Sequence, residues 1–421
     1  MGSNITATAS SPYPYPLPDA SSPELILTHP TPAERTRTWK LTHPMWGPAL
    51  SEKDYLAREA YLTTVPLARD GGITHWILTV ASLPPDERPV LSSCESIRKR
   101  ALVGRDGTVE EGAAHGIGSV FTDPQFRGRG YASRMMSELG ERLRGWQVHG
   151  VTRGGGDGGD QNGNGNRSGN GNENGNGVEH GAGPGRGPHS LFSVLYSDIG
   201  KKFYARHGWA PFASSHVAFQ PRPGRLEEAL ASPIGYHELA ELCCVDERLL
   251  RADLARRPAG RTHVALLPEL DMLLWHLMRE DFMTKCIFGR TPTVRGAVAG
   301  EPGKRVWAVW MRGYYGGLKK MEGNTLHVLR VVVEDEEQPD EALVDGFRSI
   351  IQIAQAEAAE WKTQDVQMWN PTPKLRGLIE RCGVEYEFVD RDKESIASLM
   401  WYGEEPTAEL DWVANEKYAW C

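Results

Sequence analysis

The run from His115 to Thr122 reads as a strand. It passes through the turn Asp123-Pro124-Gln125-Phe126-Arg127-Gly128-Arg129-Gly130 straight into a helix from about Gly130 to Trp146. On that helix Tyr131, Met135, Leu139 and Leu143 recur every four residues, with Met136 beside them, and make one apolar stripe. The turn has the chemistry of a phosphate site. Gly128 and Gly130 permit backbone conformations closed to other residues, so successive N–H groups converge on one point. The helix N-terminus adds unpaired donors and a favourable dipole, and Arg127 and Arg129 supply charge for phosphate oxygens.

The rest of the chain sets bounds on what surrounds this segment. Glycine numbers 46 of 421 residues, about half again the usual share of roughly 7%. Much of the surplus lies between Arg153 and Gly187, nearly all Gly, Asn and charged residues. With that insert and the Pro/Ser-rich start set aside, enough chain remains for about two ordinary domains. The expected division is a disordered tail over 1–22, a first domain over 23–221 and a second over 222–421. A disordered Gly/Asn insert at 150–188 interrupts the first domain as a surface loop.

Net charge is −8, so no overall positive field is present to hold a nucleic acid. The six cysteines form no C-x-x-C pair and no metal-ligand spacing with histidine. No apolar run approaches the roughly 20 residues of a membrane span. The N-terminus has neither a basic start nor an apolar core of the secretory kind. These features lead us to expect a cytoplasmic protein with no metal, membrane or nucleic-acid partner.

Apolar runs and turn residues give a mixed α/β order. Leu25–Thr28 is a short strand, and Thr31-Pro32 and Ser51 are helix caps. Three β-rich runs follow at Thr74–Val80, Val90–Ala101 and His115–Thr122, and then the apolar-striped helix. After the insert come a strand at Ser190–Tyr196, a short helix at Gly200–His207 and a final strand around Val217–Phe219. The second half repeats this order: helices near 236–256 and 270–286, three strands, a long helix at Asp340–Trp361, then strand, helix and two strands.

Gln125-x-x-Gly128-x-Gly130, placed after Asp123-Pro124, resembles the acetyl-CoA signature of the GNAT acetyltransferase superfamily, Gln/Arg-x-x-Gly-x-Gly/Ala. A second segment, Ser197-Asp-Ile-Gly200-Lys-Lys-Phe203-Tyr204-Ala-Arg-His-Gly208-Trp209, resembles that superfamily's Asn-x-x-Ala-x-x-x-Tyr motif and its Gly-aromatic ending. Ser197 stands here for Asn and Gly200 for Ala. The resemblance implies an α/β (α+β) fold, a GNAT-like mixed central sheet flanked by helices, with acetyl-CoA as co-substrate. It implies that Gln125 and the amides of Arg127, Gly128, Arg129, Gly130, Tyr131 and Ala132 hold the pyrophosphate. By the same resemblance, Val120 and Thr122 pair with the pantetheine arm, and Ser197 lies beside it. Amides near Val120 and Phe121 polarise the thioester, and Tyr204 protonates the departing thiolate. The opening Leu25–Glu34, Trp39 and Trp46-Gly47, together with the domain arrangement, is similar to the fungal lysine N6-acetyltransferase family of lysine degradation.

An alkyl amine with a pKa near 10.4 is almost wholly protonated at neutral pH, so its attack on a thioester requires a base or a proton path. Glu95, Glu110, Glu111 and His115 lie on or near the central strands, and His115 is the first choice, subject to which way strand alternation points it. In the second half the matching strand-to-helix join is Val333-Glu334-Asp335-Glu336-Glu337-Gln338-Pro339-Asp340. Such a run repels pyrophosphate, so we expect a second GNAT-like domain without a CoA phosphate loop. Its expected place is along one side of the acceptor cleft, where the acidic run either faces a cationic amine or is a solvated loop. Three functions fit: an acetyltransferase for a small amine such as L-lysine, one for proteins or peptides, or a non-catalytic acetyl-CoA-binding module.

Overall fold

The computed structural model describes residues 15–148, 189–224 and 230–420. The expected insert at 150–188 and the first part of the expected tail lie outside the described residues. Residues 15–22, also expected as tail, are tied to the body of the protein. The Tyr131 hydroxyl donates to the Pro18 carbonyl at 2.7 Å, and Arg134 donates to the carbonyls of Ala20 (2.8 Å) and Ser22 (3.3 Å).

The first half runs β1 (Leu25–Thr28), α1 (Pro32–Trp46), α2 (Glu52–Leu62), β2 (Ile73–Val80), β3 (Ser92–Arg105), β4 (Thr108–Phe121), α3 (Tyr131–Arg144), β5 (Phe192–Ser197), α4 (Lys202–Ala205), β6 (Ala210–Pro211) and β7 (Ser215–Phe219). The second half runs β8 (Ala231–Ile234), α5 (Leu239–Arg256), β9 (His263–Leu266), α6 (Leu270–Phe288), β10 (Gly296–Ala299), β11 (Val306–Tyr314), β12 (Asn324–Val333), α7 (Asp340–Glu360), β13 (Asp365–Trp369), α8 (Pro373–Arg381), β14 (Glu387–Asp390), β15 (Ile396–Trp401) and β16 (Asp411–Trp412). No helix among the described residues is long and apolar enough to cross a membrane.

Local chemistry accounts for much of this order. α1 starts on a capping box: Thr31 accepts from the Glu34 N–H, and Glu34 accepts from the Thr31 N–H. The same buried Glu34 carboxylate takes Arg88 at 2.8 Å and the Asp86 N–H at 3.0 Å, which fastens the β2–β3 loop to the helix. Asp106 and Gly107, at φ +46° and +82°, form the two-residue turn that left-handed backbone favours, and they join β3 to β4 as one long hairpin.

Two sheets result. The first has the order β1-β2-β3-β4-β5-β15-β6, with β9 also paired to β3 and β16 to β9. The second has the order β14-β7-β13-β12-β11-β10-β8. The halves have therefore exchanged a strand. β7, expected to close the first domain, pairs with β13 and β14 in the second sheet. β15, expected in the second domain, lies between β5 and β6 in the first. The boundary at 221/222 thus divides the chain but not the sheets. Alternation in Ser215–Phe219 marks a strand, and nothing in five residues specifies which sheet edge receives it.

α3 covers one face of the first sheet, packing Met135, Met136, Leu139 and Leu143 against Trp76, Cys94, Ile117 and Leu195. α7 and α8 cover the second sheet in the same way. The largest cluster joins the halves, running from Ile97 and Phe192 to Trp307, Leu329 and Tyr418. Within the second half, buried Glu280 of α6 pairs with Arg295 at 2.5 Å and Arg312 at 2.8 Å.

Coexpressed fragments split within 225–229 should purify as one complex with a cooperative thermal transition, whereas either fragment alone should lack one. A fragment ending at residue 224 that melts cooperatively by circular dichroism would contradict a fold that needs the exchanged strands.

Candidate active site

β3 and β4 pair regularly from Arg105 opposite Thr108 as far as Glu95 opposite Gly118, and then slip so that Ser93 faces Phe121. Ser119 and Val120 are left against Cys94 alone, a bulge that re-aims the end of β4. Ser119 sits there at φ +53°. On the other side, pairing of β4 with β5 stops at Ile117 and Leu195. Past that point β5 stays with β15, as Tyr196 pairs with Ala397 and Ser197 with Ile396. β4 and β5 therefore diverge, leaving Gly118 to Phe121 without a partner strand on that side.

The residues of the glycine turn, expected from the sequence to hold a phosphate, follow the end of β4 and lead into α3. Gly128 and Gly130 have φ of +77° and +83°, and Gly130 stands at the N-cap of α3 with no side-chain cap, so the first-turn amides are not occupied by one. Arg129 is exposed, Ala132 is partly buried, and the Tyr131 ring anchors the helix start in the core. Arg127 donates from Nε to the Thr122 carbonyl at 3.1 Å, and Gln125 donates its amide to Asp123 at 2.8 Å. The Thr122 hydroxyl lies 2.8 Å from Ser92 Oγ, which ties the end of β4 to β3. Val120 and Phe121 line the bulge, with Phe121 under the Arg127 guanidinium. Ser197 turns its hydroxyl to the Gly200 carbonyl at 2.6 Å and shapes the approach to α4. Tyr204 of α4 is buried in the same core as Cys94, Ile117 and Leu195, and burial pushes its phenol well above the usual value.

The candidate bases lie in different surroundings. His115 is fully buried and shares a strand face with Ile117, which packs under α3. Its Nδ1 lies 3.2 Å from Ser190 Oγ, and burial beside Arg98 pulls its pKa down to about 4. It lies before the divergence and does not border the bulge. Glu111 is held by Arg100 and Arg251, and Glu110 lies near the turn of the same hairpin.

Glu95 borders the bulge instead. Its Oε1 accepts from Ser119 Oγ at 2.8 Å, and its Oε2 lies 3.6 Å from His75 Nε2. Burial first, then the nearby Glu59, pushes its pKa up to about 7 against the Ser119 hydrogen bond. Burial and Arg35 pull His75 down to about 4, so it is neutral near pH 7 and leaves Glu95 without an ion pair. Glu95 faces a cavity of about 20 Å³ beneath α1, bordered by Arg35, Trp39, Tyr55, Glu59 and His75, enough for about one water. The alternation of β2 and β3 offers His75 and Glu95 as sequence signals, because they are paired across the strands. Glu59 and Tyr55 reach this place only through the packing of α2.

The second half repeats the bulge and the strand divergence with a different lining. β12 carries a bulge at Leu329, and its pairing with β13 ends at Val328 and Met368. The Val331 N–H beyond the bulge donates to Glu416 at 3.0 Å. Glu334 accepts from the Gly303 N–H at 2.6 Å and binds Arg305 at 2.7 Å, while Asp335 caps its own turn. The acidic run therefore borders a separate cavity of about 830 Å³, lined also by α5, α8 and residues 410–416, and does not face Glu95. Among the described residues no group of three or more His, Cys, Asp or Glu is placed to hold a metal ion.

Several known proteins are similar to this chain. Residues 216–421 match the family model of the LYC1 GNAT-like C-terminal domain. A lysine acetyltransferase of Yarrowia lipolytica is 23% identical over 441 residues, covering 93% of this chain and 98% of that one. Among solved structures, a GCN5-related N-acetyltransferase from Anabaena variabilis aligns with a TM-score of 0.47 at 11% identity, over 89% of this chain and 72% of that one. Saccharomyces cerevisiae N-myristoyltransferase with bound myristoyl-CoA aligns with a TM-score of 0.48 at 9% identity, over 94% and 82%.

The raised Glu95 pKa has a sign that can be measured. The folded protein binds this proton more tightly than the unfolded chain, so stability falls as pH rises from the unfolded carboxyl value through about 7. Glu95→Gln removes that cost. Its Tm relative to the parent should rise between pH 5 and pH 8, and a pH-independent difference would mean that Glu95 is not perturbed.

Proposed function

We propose that this chain, a GNAT-type N-acetyltransferase that resembles the fungal lysine acetyltransferase, moves the acetyl group of acetyl-CoA to the N6-amine of L-lysine. The observation that carries the mechanism is the Ser119 bulge, which sets the Glu95 carboxylate 2.8 Å from Ser119 Oγ beside the divergence of β4 and β5. The similarity to a lysine acetyltransferase over 93% of the chain supports the choice of acceptor.

In this mechanism the diphosphate lies against the amides from Arg127 to Ala132, where glycine backbone and a helix N-terminus supply donors. The pantetheine arm takes the side of β4 that β5 leaves, along Val120 and Thr122. Glu95, with a pKa near 7, is ionised in a useful fraction at neutral pH and basic enough to take a proton from the approaching ammonium. The freed amine nitrogen attacks the thioester carbon. The C–N bond forms as negative charge collects on the carbonyl oxygen, where the Val120 and Phe121 amides stabilise it. The C–S bond then breaks as Tyr204, kept protonated by burial, gives its proton to the sulfur, and the second proton shed by the nitrogen as it becomes an amide returns to Tyr204 through water. Burial is the largest cause of the raised proton affinity of both groups, which leaves the carboxyl a base near neutral pH and the phenol a proton donor.

The test is thiol release from acetyl-CoA with purified protein and a panel of free amines and peptides. L-Lysine should be the best acceptor, with kcat/KM rising through a pKa near 7. Glu95→Gln should lower kcat about 100-fold or more and abolish that acid limb. Faster turnover of peptides than of lysine would overturn the acceptor, and acetyl-CoA binding without turnover of any amine would overturn the enzyme. Separately, Tyr204→Phe should lower kcat about tenfold or more while leaving acetyl-CoA affinity within twofold. Unchanged turnover in that variant would remove Tyr204 as the acid.

A further inference from the structure

Six arginines among the described residues are buried: Arg58, Arg279, Arg295, Arg312, Arg330 and Arg391. Four of them have carboxylates within ion-pair distance. Arg58 has Glu59, Arg295 has Glu280 and Asp281, Arg312 has Glu280 and Glu357, and Arg330 has Asp246 and Glu416. Arg279 has the Tyr315 hydroxyl and lies within the field of Glu59 and Glu95. Arg391 differs from all of these. It is only 9% exposed, and one nitrogen, Nη1, donates to the Ser215 carbonyl at 2.9 Å. Nε and Nη2 are buried with no hydrogen-bond partner among the described residues, and no carboxylate there lies within ion-pair distance. A buried charge without a counter-ion is costly, so an anion brought beside this one would offset that cost.

The surroundings suit a carboxylate. The guanidinium lies 3.9 Å from the centroid of the Trp369 ring, and the Lys417 ammonium lies 4.2 Å from the same ring. Trp369 Nε1 and Trp412 Nε1 are further buried donors with no partner among the described residues. Ser215, Trp412 and Asn415 next to this cluster border the cavity of about 830 Å³, whose size is that of a small-molecule site.

The cluster also lies on the acceptor side of the first sheet. Leu195 of β5 packs into the α3 core, so its neighbour Tyr196 faces the opposite side, as Glu95 does beside core-packed Cys94. Tyr196 is the first β5 residue past the divergence from β4, and its ring centroid is 5.9 Å from that of Trp369. Arg391 is thus two ring contacts from the mouth of the cleft. An acceptor with its amine at the thioester and a carboxylate at Arg391 would be an extended ω-amino acid.

We propose that Arg391, with Trp369 beneath it, binds the carboxylate of the acceptor, so that the second half of the chain selects amino acids over simple amines. This inference rests on the acetyl-transfer reading and names the part of the acceptor that the second half recognises. Arg391 is a specificity residue, acting on the end of the acceptor away from the reacting nitrogen.

The test uses the full chain, Arg391→Gln and Arg391→Lys, with L-lysine and its decarboxylated counterpart 1,5-diaminopentane as acceptors. In Arg391→Gln, kcat/KM for L-lysine should fall at least 30-fold, mainly through KM, while that for 1,5-diaminopentane stays within twofold. Arg391→Lys should recover part of the loss. The Tm of Arg391→Gln should equal or exceed that of the parent, because an unpaired buried charge is gone. Equal losses on both acceptors, or no loss on L-lysine, would overturn the proposal. Calorimetric titration with L-lysine is run in parallel and decides the matter if neither amine is turned over. In that case the acetyl-transfer reading fails alone: binding lost in Arg391→Gln upholds the carboxylate site, and equal or undetectable binding in both proteins overturns it.

Discussion

The exchange of β7 and β15 is the constraint on which the rest of this molecule depends. β15 gives β5 a partner along its whole length, so β5 does not follow β4 past Ile117 and Leu195. That freedom opens the cleft. The reciprocal strand β7 fills the matching place beside β13 and carries Ser215, whose carbonyl holds Arg391. Neither sheet is complete without a strand from the other half, and the largest core cluster is shared between them. Two tandem domains of related architecture have become a single packing unit.

Burial sets the acid–base character of the candidate site. The same loss of solvent raises the Glu95 carboxyl to about 7, lowers His75 to about 4 and holds the Tyr204 phenol protonated. Burial opposes the charged form of each group, so an acid gains proton affinity and an imidazole loses it. Glu95 keeps its usefulness because Ser119 supplies one hydrogen bond and neutral His75 supplies no counter-charge. An arginine in place of His75 would pull Glu95 back toward an ordinary carboxylate and weaken it as a base.

The second half shows the same scaffold with a different lining. Its bulge and its strand divergence persist, yet Glu416 takes the Val331 N–H, and Arg330 is neutralised by Asp246 and Glu416. Glycines are absent from its strand-to-helix turn, where Glu334 is held by Arg305. Against this background of paired buried charges, Arg391 stands apart, which is why the seam rather than the second cleft carries the carboxylate proposal.

Much of the molecule was legible in the chain itself. The apolar stripe from Tyr131 to Leu143, the glycines at 128 and 130 and the caps at Thr31 and Ser51 are local features, and short-range sterics and hydrogen bonding fix their outcome within a few residues. The glycine turn before α3 and the place of Tyr204 on α4 follow from such spacing. Local pattern did not carry the choice between His115 and Glu95, since both lie on strands and only the bulge at Ser119 and the packing of α1 and α2 decide which one meets the cleft. Nor does it carry the pairing of β7 and β15, because a five- or six-residue strand encodes its faces but not its neighbours. The sequence determined which elements form and where the glycine turn before α3 sits. Tertiary structure decided which sheet each strand completes, which carboxyl is desolvated and which arginine is left without an anion, because those properties depend on groups brought together from distant parts of the chain.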